Sequence, residues 1–119
     1  MTEPWAEKGE ATVQFILGGA YYASQNYTDA MRWYRRAAEQ GYVHAQLYLA
    51  EMYFIGRGAP QSYVQTQLWF SRAARNVTGY GKPRDDAIHK RDLVTGKMTA
   101  AQIAEAQRLA GEWEPKLER

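Results

Sequence analysis

The 119-residue sequence contains no cysteine, which excludes disulfide bonds and metal sites built from thiolates. It also has no apolar run long enough to cross a membrane. The first residues, Met1 to Lys8, are polar and acidic and lack the apolar region of a secretory signal. These absences predict a cytoplasmic protein without membrane insertion. A periplasmic location stays open, because the gene could encode a targeting segment that this sequence does not include.

The sequence also shows no strong excess of positive or negative charge. The formal net charge is only +2, whereas a nucleic-acid footprint needs clustered basic charge. We expect no nucleic-acid partner, because the tryptophans beside the basic residues should be buried and unable to stack on bases. A nucleic-acid-binding regulator remains the alternative function, since five arginines lie along the second helices of the two units: Arg32, Arg35, Arg36, Arg72 and Arg75.

Motifs for catalysis are missing as well. The sequence has no Ser-x-x-Lys, Gly-x-Ser-x-Gly, His-Glu-x-x-His or Walker motif, so we expect no enzyme activity, no cofactor and no bound metal; a small hydrolase is a further alternative. His44 and Glu51 lie about 10 Å apart along a predicted helix, too far to share one metal ion. A second cluster lies on the fifth predicted helix and consists of Asp85, Asp86, His89 and Asp92. It could form a weak metal or proton site, but we favour local ion pairing and compensation of the helix dipole as its role.

The dominant positive feature is an internal repeat. Trp33 and Tyr34 are followed, 36 residues later, by Trp69 and Phe70. A period of this length is typical of helical repeats, in which each two-helix unit buries its apolar face by stacking on the next unit. The same offset relates further residues: Tyr27 to Tyr63, Arg36 to Arg72, and Ala37-Ala38 to Ala73-Ala74.

Apolar periodicity, turn residues and caps predict six helices joined by short loops, so that successive helices are antiparallel neighbours. The predicted bounds are about 6–23, 27–40, 43–55, 62–76, 83–95 and 99–114, after a lead-in over 1–5 and with a loop over 77–82. Gly41 and Gly96 should follow helix ends, and the spacing of Thr99 and Gln102 predicts a capping box. The predicted fold class is all-α: one domain over 1–119 that forms a superhelical solenoid of antiparallel helix pairs, with repeat one over about 6–41, repeat two over about 42–77 and a C-terminal capping pair over about 82–115.

The first predicted helix carries a stripe of Val13, Leu17, Ala20 and Tyr21, which we expect to face the interior. Gly18 lies in the middle of this helix at a propensity cost of about 1 kcal/mol. A glycine at such a position predicts the close approach of the next helix. The following helices place aromatic and small residues inward, including both repeat tryptophans.

The second unit resembles the SEL-one-like repeat (SLR) family, a relative of the tetratricopeptide repeat. The signature of this family is matched by Ala45, Leu49-Ala50, Met52-Tyr53, Gly56-Arg57-Gly58, Tyr63, Trp69-Phe70 and Ala73-Ala74. The first unit matches it from Trp33 to Gly41 but lacks the Gly-x-Gly loop. The resemblance implies a curved array that works as a protein–protein interaction adaptor, often in bacteria. It implies no catalytic residues, because the family shares none.

In related arrays the first helix of each pair lines a concave face, and the resemblance therefore implies a set of partner-binding residues. These candidates are Thr12, Phe15, Tyr22, His44, Tyr48, Glu51, His89 and Lys90. The same mapping also places Gly19, Ile55, Asp86 and Leu93 on this face. The implied partner is another protein, held through a peptide or a helix. Weak self-association also stays open, because two repeats present a small surface. The alternative for Phe15 and for Ile55 is a purely structural place in the core.

Overall fold

A computed structural model describes residues 10–76 and 82–112. Within these ranges the chain forms six α-helices and no strand. The bounds predicted for the second to the fifth helix are confirmed to within one residue. The predicted lead-in over 1–5 and the predicted stop at Pro115 lie outside the described residues, as does the loop predicted over 77–82 apart from Lys82, which begins the fifth helix. We number the helices in chain order: α1 (Ala11–Ala23), α2 (Tyr27–Glu39), α3 (Val43–Ile55), α4 (Tyr63–Asn76), α5 (Lys82–Thr95) and α6 (Ala100–Glu112).

Glycine follows the ends of α2 and α3, where the chain must reverse. Gly41 and Gly56 have φ angles of +95° and +81°, a left-handed conformation that glycine adopts without steric cost. After α2, this turn lets the Tyr42 N–H donate a hydrogen bond to the Ala37 carbonyl oxygen at 3.2 Å. The bond satisfies one of the carbonyl groups that a helix end leaves without an intrahelical partner.

The predicted capping box opens α6. The Gln102 N–H donates to Oγ1 of Thr99 at 3.2 Å, and the Thr99 N–H donates to Oε1 of Gln102 at 2.9 Å. Two backbone donors at the start of the helix are thereby satisfied reciprocally. Before it, α5 ends with the Gly96 N–H bonded to the Asp92 carbonyl at 3.2 Å, so the short connection between the two helices is also as predicted.

The two repeat tryptophans occupy equivalent places in the core. Trp33 is 2% exposed and Trp69 is 0% exposed. The arginine three residues later lies over each ring, with its guanidinium carbon 5.0 Å from the ring centre for Arg36 and 4.5 Å for Arg72. Both indole N–H groups are buried without an acceptor among the described residues. Equal burial and the same local cation–π contact give the two rings similar immediate surroundings, as the repeat predicts.

Each helix from α1 to α4 packs on the next one along the chain, whereas α6 packs on α4 and has little contact with α5. Two arginines of α4 explain this docking. Arg72 and Arg75 donate to the carbonyl oxygens of Leu109 and Ala110, at 3.5 and 3.3 Å. These carbonyls belong to the last turn of α6, where backbone acceptors are unpaired and positive charge is favoured. The last two helices thus both rest on α4 and differ in this from the earlier pairs.

The inward face of α1 differs from the predicted stripe. The helix begins at Ala11, and its buried residues are Gln14 and Gly18, whereas Ala20 is exposed. Gln14 is tolerated in the interior because its Oε1 accepts a hydrogen bond from Nε2 of Gln40 at 2.7 Å. The prediction for this helix is therefore wrong by one residue, which rotates the buried side by about 100°.

Gly18 confirms the predicted close approach of α1 and α2. A Cβ atom at this position would lie 2.7 Å from Cδ1 of Tyr34 and 3.3 Å from the carbonyl oxygen of Ala30. Both distances are shorter than ordinary van der Waals contacts. The second unit carries Ala50 at the corresponding position of α3, so its helices accommodate the methyl group that the first unit excludes.

We expect Gly18→Ala to lower the free energy of unfolding by about 1–3 kcal/mol, because overpacking against the buried Tyr34 ring outweighs the gain in helix propensity. Gly19→Ala is the matched control, since its Cβ would meet only the Tyr34 hydroxyl oxygen, at 3.7 Å. It should raise the free energy of unfolding by about 0.5–1 kcal/mol. Urea titration followed by circular dichroism measures both changes. A stabilising Gly18→Ala substitution would contradict the close approach.

We expect Trp33→Ala and Trp69→Ala each to cost about 3–5 kcal/mol of unfolding free energy, because each empties a large and fully packed site. Such a loss is comparable to the whole stability of a small domain, about 5–15 kcal/mol, so both variants should be largely unfolded at 37 °C. Thermal melting tests this, with the exposed Leu93→Ala as the control that should leave the midpoint nearly unchanged. Cooperative melting of the tryptophan variants near the parent temperature would show that the rings are not essential.

Candidate protein-interaction surface

The first helices of the successive units, α1, α3 and α5, contribute side chains to one side of the array, which we call the first-helix face. Two features lie on it. Aromatic rings from α1, α2 and α3 form a cluster, and the side chains of α3 and α5 border an apolar groove.

The aromatic cluster is built around Tyr34 of α2, which is buried and rigidly placed. Its ring centre lies 5.5 Å from that of Phe15 and 5.4 Å from that of Tyr48, the latter in a stacked orientation. Tyr42 extends the cluster beyond Phe15 at 5.2 Å, and Tyr22 joins it 6.3 Å from Tyr48. Offset and tilted rings at these distances attract one another beyond simple burial. Only the outer rings, Tyr48 above all, reach solvent.

The Tyr34 hydroxyl is held in its neutral form. Burial, with smaller contributions from Tyr48 and Tyr22, raises the pKa of Tyr34 from 10.0 to about 12. The cause is the cost of placing a phenolate where water is excluded. This hydroxyl therefore remains protonated at neutral pH, and the ring works as the support on which the exposed rings of the cluster rest.

The Gly-x-Gly loop of the second unit connects this cluster to the turn after α3. Nη1 of Arg57 donates to the Tyr22 hydroxyl at 2.8 Å, and the guanidinium carbon lies 4.7 Å from the ring centre of Tyr27. Gly58 has a φ angle of +85°, and a Cβ there would lie 2.7 Å from the Tyr27 carbonyl oxygen. The loop therefore packs directly on the first unit, at a distance that only glycine permits.

The apolar groove lies between α3 and α5 and has a volume of about 400 Å³. Its floor is Phe70 of α4, which is buried. On its walls, Ile55 of α3 and Leu93 of α5 are 58% and 57% exposed, although both side chains are apolar. The residues that line the groove are Glu51, Phe54, Ile55, Phe70, Lys90, Leu93, Val94 and Lys97.

One ion pair joins the two walls of the groove. The ammonium group of Lys90 donates a hydrogen bond to Oε1 of Glu51, and its nitrogen lies 6.0 Å from the ring centre of Phe70. Both charged side chains are nearly half exposed. A pair so open to solvent contributes little to stability, typically about 0–1 kcal/mol.

The structure divides the candidate residues among these features. Phe15, Tyr22 and Tyr48 belong to the aromatic cluster, and Glu51 and Lys90 line the groove. The other three candidates are exposed: His44 lies beside the cluster, with its ring 6.1 Å from those of Phe15 and Tyr42, whereas Thr12 and His89 line neither feature.

A purely structural place in the core was the alternative for Phe15 and Ile55, and the structure supports it for Phe15 alone. Phe15 is half-buried and packs against the core, whereas Ile55 is exposed in the groove. Ile55 and Leu93, which the mapping also placed on this face, line the groove, whereas Phe54, Phe70, Val94 and Lys97 were not predicted there. Val94 and Lys97 follow Lys90 by four and seven positions. Residues at these spacings lie on one side of a helix, so this pattern is the signal that could have predicted them.

The described residues contain no group of three or more His, Asp or Glu side chains that could hold a metal ion. In the acidic cluster of α5, Asp92 accepts a hydrogen bond from Nη2 of Arg91 at 3.2 Å, which is local pairing. None of the helices over 10–76 and 82–112 is long and apolar enough to span a membrane.

Most arginines of the second helices are engaged within the fold. Arg35 donates to the Tyr53 hydroxyl and lies 3.7 Å from a Glu39 oxygen. Arg72 is buried against Trp69, and burial lowers the pKa of its guanidinium group to about 10, although Glu39 favours the charged form. Arg32 is exposed and lies 3.5 Å from Asp29. These arginines therefore serve to pack on aromatic rings, as Arg35 and Arg72 do, and to cap the end of α6, as Arg72 and Arg75 do.

Comparison with known proteins agrees with this architecture. The profile of the Sel1 repeat matches residues 13–42 and 43–76. Among solved structures, a protective antigen present in uropathogenic Escherichia coli strains, which displays an SLR fold, is 35% identical, with a TM-score of 0.78 over 88% of this chain. The alignment covers 22% of that longer protein. The search of curated proteins gives no match.

The predicted resemblance is thereby confirmed. Two consecutive repeat matches extend over more than half of the chain, and the helical solenoid is shared with a protein of known structure. The neighbour also indicates a bacterial origin. From the matched repeats and the shared fold together, the chain belongs to the Sel1 repeat family.

Proposed function

We propose that this chain is a non-enzymatic interaction module that binds a segment of another protein on its first-helix face. Sel1-repeat proteins are generally protein-interaction scaffolds. The observation that supports a specific location is the apolar groove between α3 and α5, where Ile55 and Leu93 lie largely exposed in a concave site. Contiguous exposed apolar side chains with a polar rim mark sites of protein association.

The size of the groove sets an expectation for affinity. Complete burial of an apolar side chain contributes about 1.5–3 kcal/mol, and the exposed groove residues are already partly covered. Their combined contribution has to offset an association cost estimated at about 4–15 kcal/mol. We therefore expect a partner segment to bind no more tightly than micromolar, which corresponds to a net binding free energy of about −8 kcal/mol.

The aromatic cluster extends the same face towards α1. Tyr48 is 43% exposed and stacks on the buried Tyr34, so its ring is available to a partner and is supported from below. Rigid aromatic rings with a polar tip are favourable contact residues for this reason. A bound segment that is longer than the groove would continue across this cluster.

We expect Ile55→Asp and Leu93→Asp, singly or combined, to abolish binding of partner segments, because each buries an unpaired carboxylate in the apolar contact. Peptides for the test come from selection of a displayed random peptide library on the full chain. Calorimetric titration of selected peptides then compares parent and variants, and affinity should fall at least about tenfold for each substitution, since such burial costs more than 1.4 kcal/mol.

Ile16→Asp is the matched control. Ile16 is 63% exposed on α1 and lies outside the groove, so the same change of side chain should leave peptide binding unchanged. All three positions are exposed, and the variants should melt within a few degrees of the parent. Selected peptides that bind the Ile55→Asp and Leu93→Asp variants as well as they bind the parent would refute the groove as the binding site.

A further inference from the structure

The charges around the groove bear on the chemistry of its occupant. Three ionisable side chains line it, Glu51, Lys90 and Lys97. Glu51 is paired with Lys90, whereas no carboxylate of the described residues lies within ion-pair distance of Lys97. The rim thus carries an excess of one positive charge over an apolar floor, and a complementary occupant is apolar with negative charge at its edge.

We propose that the groove receives an acidic amphipathic segment of another protein, whose apolar side chains lie on Phe70 and whose carboxylates bind Lys97 and compete for Lys90. This inference rests on the proposed function and adds the chemistry of the partner to it. Charge complementarity of this kind selects among partners and speeds association more than it adds affinity.

The spacing of the lysines indicates the form of the segment. Lys90 lies on α5 and Lys97 lies two residues after its end at Thr95, with Leu93 and Val94 between them, and all four line the groove. A helix rises about 10 Å, or two turns, over seven residues, and the chain continues past Thr95 through a tight turn in which the Lys97 N–H donates to the Val94 carbonyl, so the two lysines are separated by roughly this distance. A partner helix that carries acidic residues about two turns apart, with apolar residues between them, would therefore match both the lysines and the apolar walls.

Glu51 acts as a built-in competitor in this arrangement. It occupies Lys90 in the free protein, while the ammonium group stays close to the Phe70 ring at the floor of the groove. A partner carboxylate therefore has to share Lys90 with Glu51 or displace it. Removal of the Glu51 charge should strengthen binding of an acidic segment, and removal of the Lys97 charge should weaken it.

The test uses the tightest peptide from the displayed library whose binding is lost in the Leu93→Asp variant and is also weakened by Leu93→Ala, because the uncharged substitution does not itself select for acidic peptides. We expect its sequence to contain more Asp and Glu than Lys and Arg around the apolar residues. A synthetic version with every acidic residue replaced by Lys should bind about tenfold more weakly, since attraction becomes repulsion at two sites. The difference between the two peptides should shrink as salt is raised from 20 mM to about 500 mM.

Substitutions in the chain give changes of opposite sign for the acidic peptide. Lys97→Gln should lower its affinity about two- to fivefold, and Glu51→Gln should raise it by a similar factor, as for single exposed ion pairs. Arg32→Gln is the control, because it removes the same charge as Lys97→Gln from an exposed side chain of α2 outside the groove. It should leave the affinity unchanged.

The outcomes separate this inference from the function on which it rests. Groove-dependent peptides that are neutral or basic, or a Glu51→Gln variant that binds the acidic peptide less well, would overturn the acidic segment and leave the interaction module intact. Recovery of no peptide sensitive to Leu93→Asp would overturn both proposals.

Discussion

The burial of one tryptophan in each unit is the constraint on which the array depends. Trp33 and Trp69 recur at one period and are both buried, and Arg36 and Arg72, each on the same helix as its tryptophan, lie over the rings. A guanidinium group over an indole contributes about 0.5–2 kcal/mol at such a site. A contact between the units is added by Arg35 of α2, whose guanidinium carbon lies 5.8 Å from the ring centre of Trp69. With the second helices held in the interior by the two indole rings, the first helices line one face of the array.

Features that depend on neighbouring residues could be predicted from the sequence. The ends of α2 and α3 follow from glycines that adopt left-handed angles, and the start of α6 follows from the capping box at Thr99. Burial of Trp33 and Trp69 follows from their recurrence at one period. These signals are local or strictly periodic, so they can be recognised in the sequence without knowledge of the tertiary structure.

Other features depend on residues far apart in the sequence and were missed for that reason. Gln14 is buried in α1 because Gln40, 26 positions away, satisfies its side chain, and hydrophobicity alone cannot indicate this. The groove is bordered by helices whose joining pair, Glu51 and Lys90, is 39 positions apart. The family pattern found these two residues as members of the right face, but Phe54, Val94 and Lys97 required the distance between α3 and α5.

The contacts of Arg57 with Tyr22 and Tyr27 of the preceding unit have a consequence for folding. The loop that carries this arginine can form only when α3 ends correctly, yet its contacts lie on the first unit. Loss of order in either unit therefore removes contacts from the other, which couples the two units through their interface. The first unit lacks such a loop, so the contacts of this kind between the two units are supplied by the second unit.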